Sequence, residues 1–180
     1  MTGMDEDRLW GGPAPGRDCD DCSACCRIFA IESDGLSKPA DVLCHHRSAG
    51  GCEIYAQRPQ VCRTFFCAWR RIASMPEETR PDRMGVVFSL ARPAVAVNIL
   101  RKVYIRGMAI NSWEDFRSPH VDRTVAMFRS GGLPVWLQFG ETAHLVHPSE
   151  AVANVLIRGE APSTPEVAIE AERWRQRYQA

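Results

Sequence analysis

The chain has 180 residues, of which 45% are hydrophobic and 24% charged, and its formal net charge at pH 7 is zero. This length suffices for a domain with its own apolar core, so the fold does not need cysteines merely to compensate for small size. The zero net charge argues against general binding to nucleic acids or to anionic membranes.

Residues 1–18 are acidic at their start and rich in Gly and Pro over residues 11–16. This composition predicts a flexible N-terminal lead. Residues 1–17 have neither a basic start nor an apolar segment, and therefore do not form a signal peptide. The most apolar stretch, residues 84–108, is interrupted by charged residues and cannot span a membrane. We therefore expect a cytoplasmic protein whose thiols are kept reduced.

All eight cysteines of the chain lie between Cys19 and Cys67. In chain order they are Cys19, Cys22, Cys25, Cys26, Cys44, Cys52, Cys62 and Cys67. Thiolates at two-residue spacing suit a soft metal, because a tight loop can aim neighbouring sulfur atoms at one ion. Under reducing conditions this pattern favours metal ligands over disulfides. The sequence predicts a metal-binding module over residues 19–71, with all eight cysteines as ligand candidates for zinc or iron.

The adjacent pair Cys25–Cys26 bears on how the thiols are shared. Neighbouring side chains in extended backbone point to opposite sides, so the two thiols are expected to serve different metal positions or to bridge a polynuclear one. Eight thiolates match two tetrahedral sites of four, or one iron–sulfur cluster plus a structural ion. A zinc ribbon would need a second C-x2-C pair downstream, which the chain lacks. His45 and His46 could replace a thiol, but we expect them to be surface or supporting residues.

The chain after the cysteines has a different pattern, which begins beyond a turn-rich connection at residues 75–82. Residues 86–90 and 95–105 are rich in Val and Ile and predict two strands, with a turn at Arg92-Pro93. Residues 135–139 and 142–146 predict a hairpin. Residues 83–180 are therefore expected to form an α+β region.

Helices are predicted at three places in this region. Residues 113–129 have apolar residues at helical spacing, with an interruption near Pro119 and a stop at residues 131–132. Residues 149–157 predict a short helix capped by Ser149, and residues 165–178 an amphipathic helix capped by Thr164. The expected architecture is a cysteine-rich, metal-stapled loop module packed as one domain on a small layer of helices and strands.

A family resemblance rests on two segments. Residues 19–26 read CDDCSACC, and residues 52–67 read CEIYAQRPQVCRTFFC, with Cys44 between them. This pattern resembles the bacterial CxxCxxCC cysteine-cluster family (YkgJ-like), described as a zinc- or iron-chelating domain. The resemblance implies metal chelation by the eight cysteines and implies no reaction. A similar cluster is ascribed to flagellin lysine methylases, which keeps iron–sulfur enzymology open.

The other residues of the signature have two interpretations. Arg58 and Arg63 could neutralise an anionic thiolate cluster or bind an anionic substrate, or they could simply cap and stiffen the local turns. Tyr55 and Phe65 are expected to pack around the metal, and Trp69 to shield it from water. No nucleophile–base pair is legible in the sequence, so it names no catalytic residue.

Three functions are compatible with this pattern. The first is a metal-chelating protein in which the metal is mainly structural and the protein has an accessory role, with a protein partner left unidentified. The second is an enzyme or electron carrier that uses an iron–sulfur cluster. The third is metal storage or trafficking. The first is preferred because no substrate pocket is legible in the sequence.

Overall fold

The cysteine-rich segment is built from short helices and hairpins. A computed structural model describes residues 11–33 and 35–179 of the chain. The cysteine-rich segment contains α1 (Ala24–Ile28), β1 (Ile31–Ser33), β2 (Leu36–Lys38), β3 (Arg47–Ser48), β4 (Gly51–Cys52), a 3-10 turn (Tyr55–Gln57), α2 (Gln60–Thr64) and α3 (Ala68–Arg71). Strands β1 and β2 form one antiparallel hairpin, and β3 and β4 form another. The φ of +84° at Gly35 belongs to the left-handed region that glycine tolerates, which permits the tight first hairpin.

The second part of the chain contains a four-stranded sheet. Its elements are a 3-10 turn (Glu77–Thr79), α4 (Pro81–Met84), β5 (Val86–Ala91), a 3-10 turn (Ile99–Arg101), β6 (Tyr104–Ala109), a 3-10 turn (Trp113–Arg117), α5 (Pro119–Ser130), β7 (Val135–Phe139), β8 (Thr142–His147), α6 (Glu150–Ala153), a π-helical turn (Asn154–Arg158) and α7 (Pro165–Gln179). The strand order is β5-β6-β7-β8. Strands β6 and β7 are parallel, which requires a crossover, and α5 supplies it. The expected α+β class is confirmed.

One face of the sheet carries the main apolar core. Phe88, Ile105 and Val135 are each at most 1% exposed, and they pack in one cluster with residues from the helices that follow. Gly107 lies opposite Phe88 on the neighbouring strand. A Cβ atom at Gly107 would be 2.6 Å from Cε1 of Phe88, so only glycine leaves room for this ring.

The opposite face of the sheet is partly covered by the cysteine-rich segment. Val87 of β5 packs in one apolar cluster with Ala24 and Ile28 of α1. Phe29 and Phe65 pack at the edge of this cluster, with ring centroids 4.7 Å apart. Helix α1, which carries two of the cysteines, is therefore positioned by contact with the sheet.

Most of the predicted elements after the cysteines are found. The strand at residues 86–90, the hairpin and the broken helix are confirmed. Ser118 caps α5, Ser149 accepts a hydrogen bond from the Val152 amide, and Thr164 accepts one from the Val167 amide. The predicted strand at 95–105 is wrong, because most of this range is a loop and a 3-10 turn and the strand begins at Tyr104. Val95 does not lie in a strand, and its side chain is left 83% exposed.

Part of the predicted flexible lead is in contact with the rest of the chain. Residues 1–10 lie outside the described residues. Ala14 is buried, and its amide donates to the Arg70 carbonyl at 2.8 Å. The Arg17 guanidinium lies 4.7 Å from the ring centroid of Trp69 and donates to the carbonyl of Met75. Among the helices of residues 11–33 and 35–179, none is both long and apolar enough to cross a bilayer.

Candidate metal centre

Seven of the eight cysteines line one cavity of about 590 Å³. They are Cys19, Cys22, Cys25, Cys26, Cys44, Cys52 and Cys62. Their positions come from local structure: two lie on α1, one ends β4 and one lies on α2. The cavity therefore collects thiols that are up to 43 residues apart in sequence.

The eighth thiol belongs to a smaller space beside this cavity. Four cysteines line a pocket of about 30 Å³, together with Trp69 and Val87 among others. The four are Cys19, Cys22, Cys25 and Cys67. Trp69 is only 6% exposed, so its indole forms a wall beside these thiols, and its role in shielding a metal from water stays a prediction.

The other four cysteines form a second neighbourhood. Cys44 packs in an apolar cluster with Cys26 and Cys62. The amide of Cys44 donates to the carbonyl of Cys26 at 3.0 Å, which joins the loop before β3 to helix α1. Burial raises the pKa of Cys62, and negative charge on Cys26, Cys44 or Cys52 raises it further. These interactions place Cys52 in the same electrostatic environment.

Burial is the main cause of a raised pKa at three of the thiols, Cys22, Cys62 and Cys67. Burial raises the pKa of Cys22 to about 12 and that of Cys67 to about 11. The adjacent cysteines of α1 behave in opposite ways. A hydrogen bond between them, in which the Cys25 thiol donates, raises the pKa of Cys25 well above its ordinary value and lowers that of Cys26 to about 6. The positive charge of Arg47 further lowers the pKa of Cys26.

The thiols surround a space rather than converge on a point. All eight cysteines are free, with no disulfide between them. Within the described part of the chain, no group of three or more His, Cys, Asp or Glu side chains is arranged to hold a metal ion. Four sulfur atoms bound to one zinc ion lie about 3.8 Å from one another, given Zn–S bonds of about 2.3 Å. Coordination of one zinc ion therefore requires four of these sulfur atoms to lie about 3.8 Å from one another.

Lys38 is a buried cation beside this centre that the sequence analysis missed. Lys38 is only 3% exposed. The ammonium group donates to the carbonyls of Arg27, Phe29 and Pro39 at 2.6–2.9 Å. Two of these carbonyls lie at the C-terminal end of α1, where helix carbonyls lack partners of their own. Lys38 thus fixes the end of the helix that carries Cys25 and Cys26, and no local pattern in the sequence indicates this role.

The arginines of the signature are not equivalent. Arg58 lies over the Tyr55 ring at 3.6 Å. Its charge contributes to the lowered pKa of Cys26 and opposes the effect of burial, which raises the pKa of Cys62. The Nε atom of Arg58 also donates to the Tyr55 carbonyl at 2.9 Å, so Arg58 caps the 3-10 turn as the alternative interpretation expects. The two roles are compatible. Arg63 is exposed and does not line the cavity. Tyr55 lines the cavity although its side chain is 48% exposed, so it is not the packing residue that the sequence predicted.

The neighbouring histidines stand apart from the thiols. The rings of His45 and His46 have centroids 4.0 Å apart, and neither residue lines the cavity. His45 is exposed and His46 half-buried. This placement agrees with the interpretation of both as surface or supporting residues rather than ligands.

Two ion pairs tie the first cysteines to the rest of the chain. Arg70 pairs with Asp18 at 2.9 Å, and Arg80 pairs with Asp21 at 2.7 Å. Arg80 also binds both carboxylate oxygens of Asp82, at the start of α4. The loop around Cys19 and Cys22 is thereby held to the connection before the sheet.

We compared the chain with family models, with curated proteins and with solved structures. No family model, no curated protein and no solved structure matches it. The resemblance to the cysteine-cluster family accordingly stays a prediction that rests on the residues quoted for it.

Proposed function

We propose that this protein binds zinc or iron through its eight cysteines, and that the metal mainly organises the cysteine-rich segment of an accessory protein. The observation that carries the proposal is the gathering of the thiols. Seven of them line one cavity, and Cys67 joins three of the seven at the adjoining pocket. Free thiols in such density suit a soft metal and require a reducing compartment such as the cytoplasm.

We further propose that the thiols act as two sets of four. The first set consists of Cys19, Cys22, Cys25 and Cys67, and the second of Cys26, Cys44, Cys52 and Cys62. The shared small pocket supports the first set. The packing of Cys44 with Cys26 and Cys62 supports the second. The boundary between the sets then falls between Cys25 and Cys26, in keeping with the expectation that these neighbours serve different metal positions.

The chemistry of the donors fits this proposal. Burial disfavours the charged form of Cys22 and Cys67, so these thiols are neutral until a cation replaces their protons. A bound metal ion would supply the positive charge that stabilises the thiolates. Arg47 and Arg58 would offset part of the remaining negative charge near Cys26.

An iron–sulfur cluster is the second candidate, and the size of the cavity favours it. A volume of about 590 Å³ exceeds what single metal ions need, and seven thiols reach it. A polynuclear cluster could be held there with thiols to spare for a structural ion. Storage or trafficking of metal remains the third candidate and predicts variable occupancy.

Metal and acid-labile sulfide content of anaerobically purified protein tests the proposal, together with the visible spectrum. Two zinc ions per chain without sulfide would support the two-site form, and iron with matching sulfide would support the cluster. Protein that binds neither metal under these conditions would contradict the proposal. Slow exchange with isotopically labelled metal at fixed stoichiometry would exclude trafficking.

Single serine substitutions test the division into sets. Cys25→Ser and Cys26→Ser should each weaken a different ion, so that the double variant loses both. Substitution of exposed Ser48, as Ser48→Ala, is a control that leaves metal content unchanged. Loss of the same ion in both single variants would contradict the division while leaving metal binding intact.

A further inference from the structure

The cysteine-lined cavity is large enough for more than metal. Its volume of about 590 Å³ lies within the range of small-molecule sites in proteins, about 300–1,000 Å³. Part of its wall is apolar and is formed by side chains such as Phe29, Ile31, Leu36, Ile54 and Phe65. An apolar wall contributes nothing to metal ligation, but it is the usual surface against which the body of an organic ligand packs.

Four arginines line the same cavity, and three of them have partners within the protein. The four are Arg47, Arg58, Arg70 and Arg106. Arg47 donates to the carbonyls of Ser48 and Asp21, and Arg58 donates to the carbonyl of Tyr55 at 2.9 Å. Arg70 forms an ion pair with Asp18 at 2.9 Å. These three guanidinium groups are therefore accounted for by carbonyls and by one carboxylate.

Arg106 is the exception. It lies in the middle of β6, directly opposite Ser89 of β5. Within residues 11–33 and 35–179 it forms no ion pair, and its buried Nε atom has no hydrogen-bond partner. The buried Nε of Arg70 also lacks a partner, but Arg70 has the carboxylate of Asp18. Burial lowers the pKa of its guanidinium, and no thiol contributes to that shift. The ring of Phe29, with its centroid 5.4 Å from Cζ of Arg106, is the aromatic neighbour.

The position of Arg106 is thus costly for the protein alone. Arg106 is half-buried, and its Nε atom has lost contact with water without gaining an acceptor, for which a ring at 5.4 Å offers only weak compensation. A planar guanidinium is the group best shaped to bind a carboxylate or a phosphate. The missing partner of Arg106 is therefore expected to be a carboxylate or a phosphate group.

We propose that the cavity binds a small organic anion whose carboxylate or phosphate group is held by Arg106, and whose apolar body packs against Phe29 and the neighbouring wall. The site goes beyond the proposed metal binding and does not depend on which metal the thiols hold. It would place the ligand in the same space as the thiols. The protein would then have a ligand or substrate site beside its metal centre.

Isothermal titration of the full chain, as purified with its metal, tests this inference. The probes are benzoate and phenyl phosphate, with benzamide as an uncharged analogue of the same shape. Both anions should bind, benzamide should bind at least tenfold more weakly, and the stronger of the two anions identifies the acid group. Arg106→Met should weaken anion binding at least tenfold and leave benzamide binding unchanged, whereas Arg106→Lys should retain part of the affinity.

Arg117→Met is the control. Arg117 is exposed, pairs with Glu114 at 2.8 Å and does not line the cavity, so its removal should leave anion binding unchanged. Metal content is measured for every variant, which separates failure of the anion site from failure of metal binding. Equal affinity for benzoate and benzamide, no binding of either anion, or unchanged binding in Arg106→Met would each overturn the inference.

Discussion

The two faces of the four-stranded sheet are covered in different ways. On one face, large side chains such as Phe88 and Ile105 join a continuous apolar core with the helices that follow β6 and β8. On the other face, the buried part of the contact consists of Val87 with Ala24 and Ile28. The first face is stabilised mainly by the hydrophobic effect, whereas the contact on the second face has few buried apolar groups. The cysteine-rich segment therefore needs other ties, which are hydrogen bonds, ion pairs and, as we propose, metal.

Removal of metal is expected to have the largest effect, and to act on one face of the sheet and not on the other. Structural zinc contributes on the order of 10 kcal/mol to the folding of small metal modules. We expect complete demetallation to expose the Cys44 amide, which bonds to Cys26, to hydrogen exchange. The Ile105 amide, bonded to the Pro134 carbonyl in the sheet, should stay protected. Unchanged protection of Cys44 after metal analysis reads zero would contradict a structural role for the metal.

The apolar face should respond to loss of a core side chain. Phe88 is 1% exposed and lies 5.4 Å from the Phe128 ring, centroid to centroid. Phe88→Ala should lower the free energy of unfolding by about 3–5 kcal/mol, because it removes apolar contacts and leaves a cavity. Urea denaturation followed by circular dichroism measures the change. Val95→Ala, at a position 83% exposed, is the control and should change stability by less than about 0.5 kcal/mol.

The two lysines of the chain allow the hydrogen bonds of the two regions to be compared. Lys38 donates to three carbonyls in the cysteine-rich segment, while Lys102 donates to the Tyr178 carbonyl alone, at 2.7 Å. Lys38→Met should destabilise the protein by about 1.5–3 kcal/mol, because it removes three charge-assisted hydrogen bonds to part-buried carbonyls. Lys102→Met should cost less. Equal effects in thermal melts would show that the end of α1 does not depend on Lys38.

The smallest expected effect is a pH dependence on the apolar side. Burial lowers the pKa of His147 below its ordinary value of 6.5, and the charge of Arg129 lowers it further while Glu170 opposes the shift. The unfolded chain therefore binds a proton at His147 more readily than the folded chain does. The contribution of neutral His147 to stability is fully present above pH 6.5 and is lost as the pH falls through the lowered pKa of the folded state. The ring packs against Trp174, with centroids 5.4 Å apart. His147→Gln should weaken the dependence of the free energy of unfolding on pH in this range. An unchanged dependence would show that another group causes it.

Local sequence signals predicted the elements that depend on local forces. The hairpin at residues 135–147 and the caps at Ser149 and Thr164 follow from side-chain alternation and from short-range hydrogen bonds, and both are found. The strand predicted at 95–105 failed because its Val and Ile content indicates strand propensity only. Whether such residues form a strand is decided by the partners they find, and Val95 finds none.

The sequence by itself determined the chemistry of the candidate site: eight thiols, their close spacing and the nearby arginines. Only the tertiary structure decided which of these groups share a space. It brought Cys67 to the first cysteines, placed the buried ammonium of Lys38 at the end of α1, and set Arg106 of a distant strand into the cysteine-lined cavity. Residue type and spacing are local properties of the chain. Proximity across tens of residues depends on how the sheet and the cysteine-rich segment pack, and no local pattern encodes it.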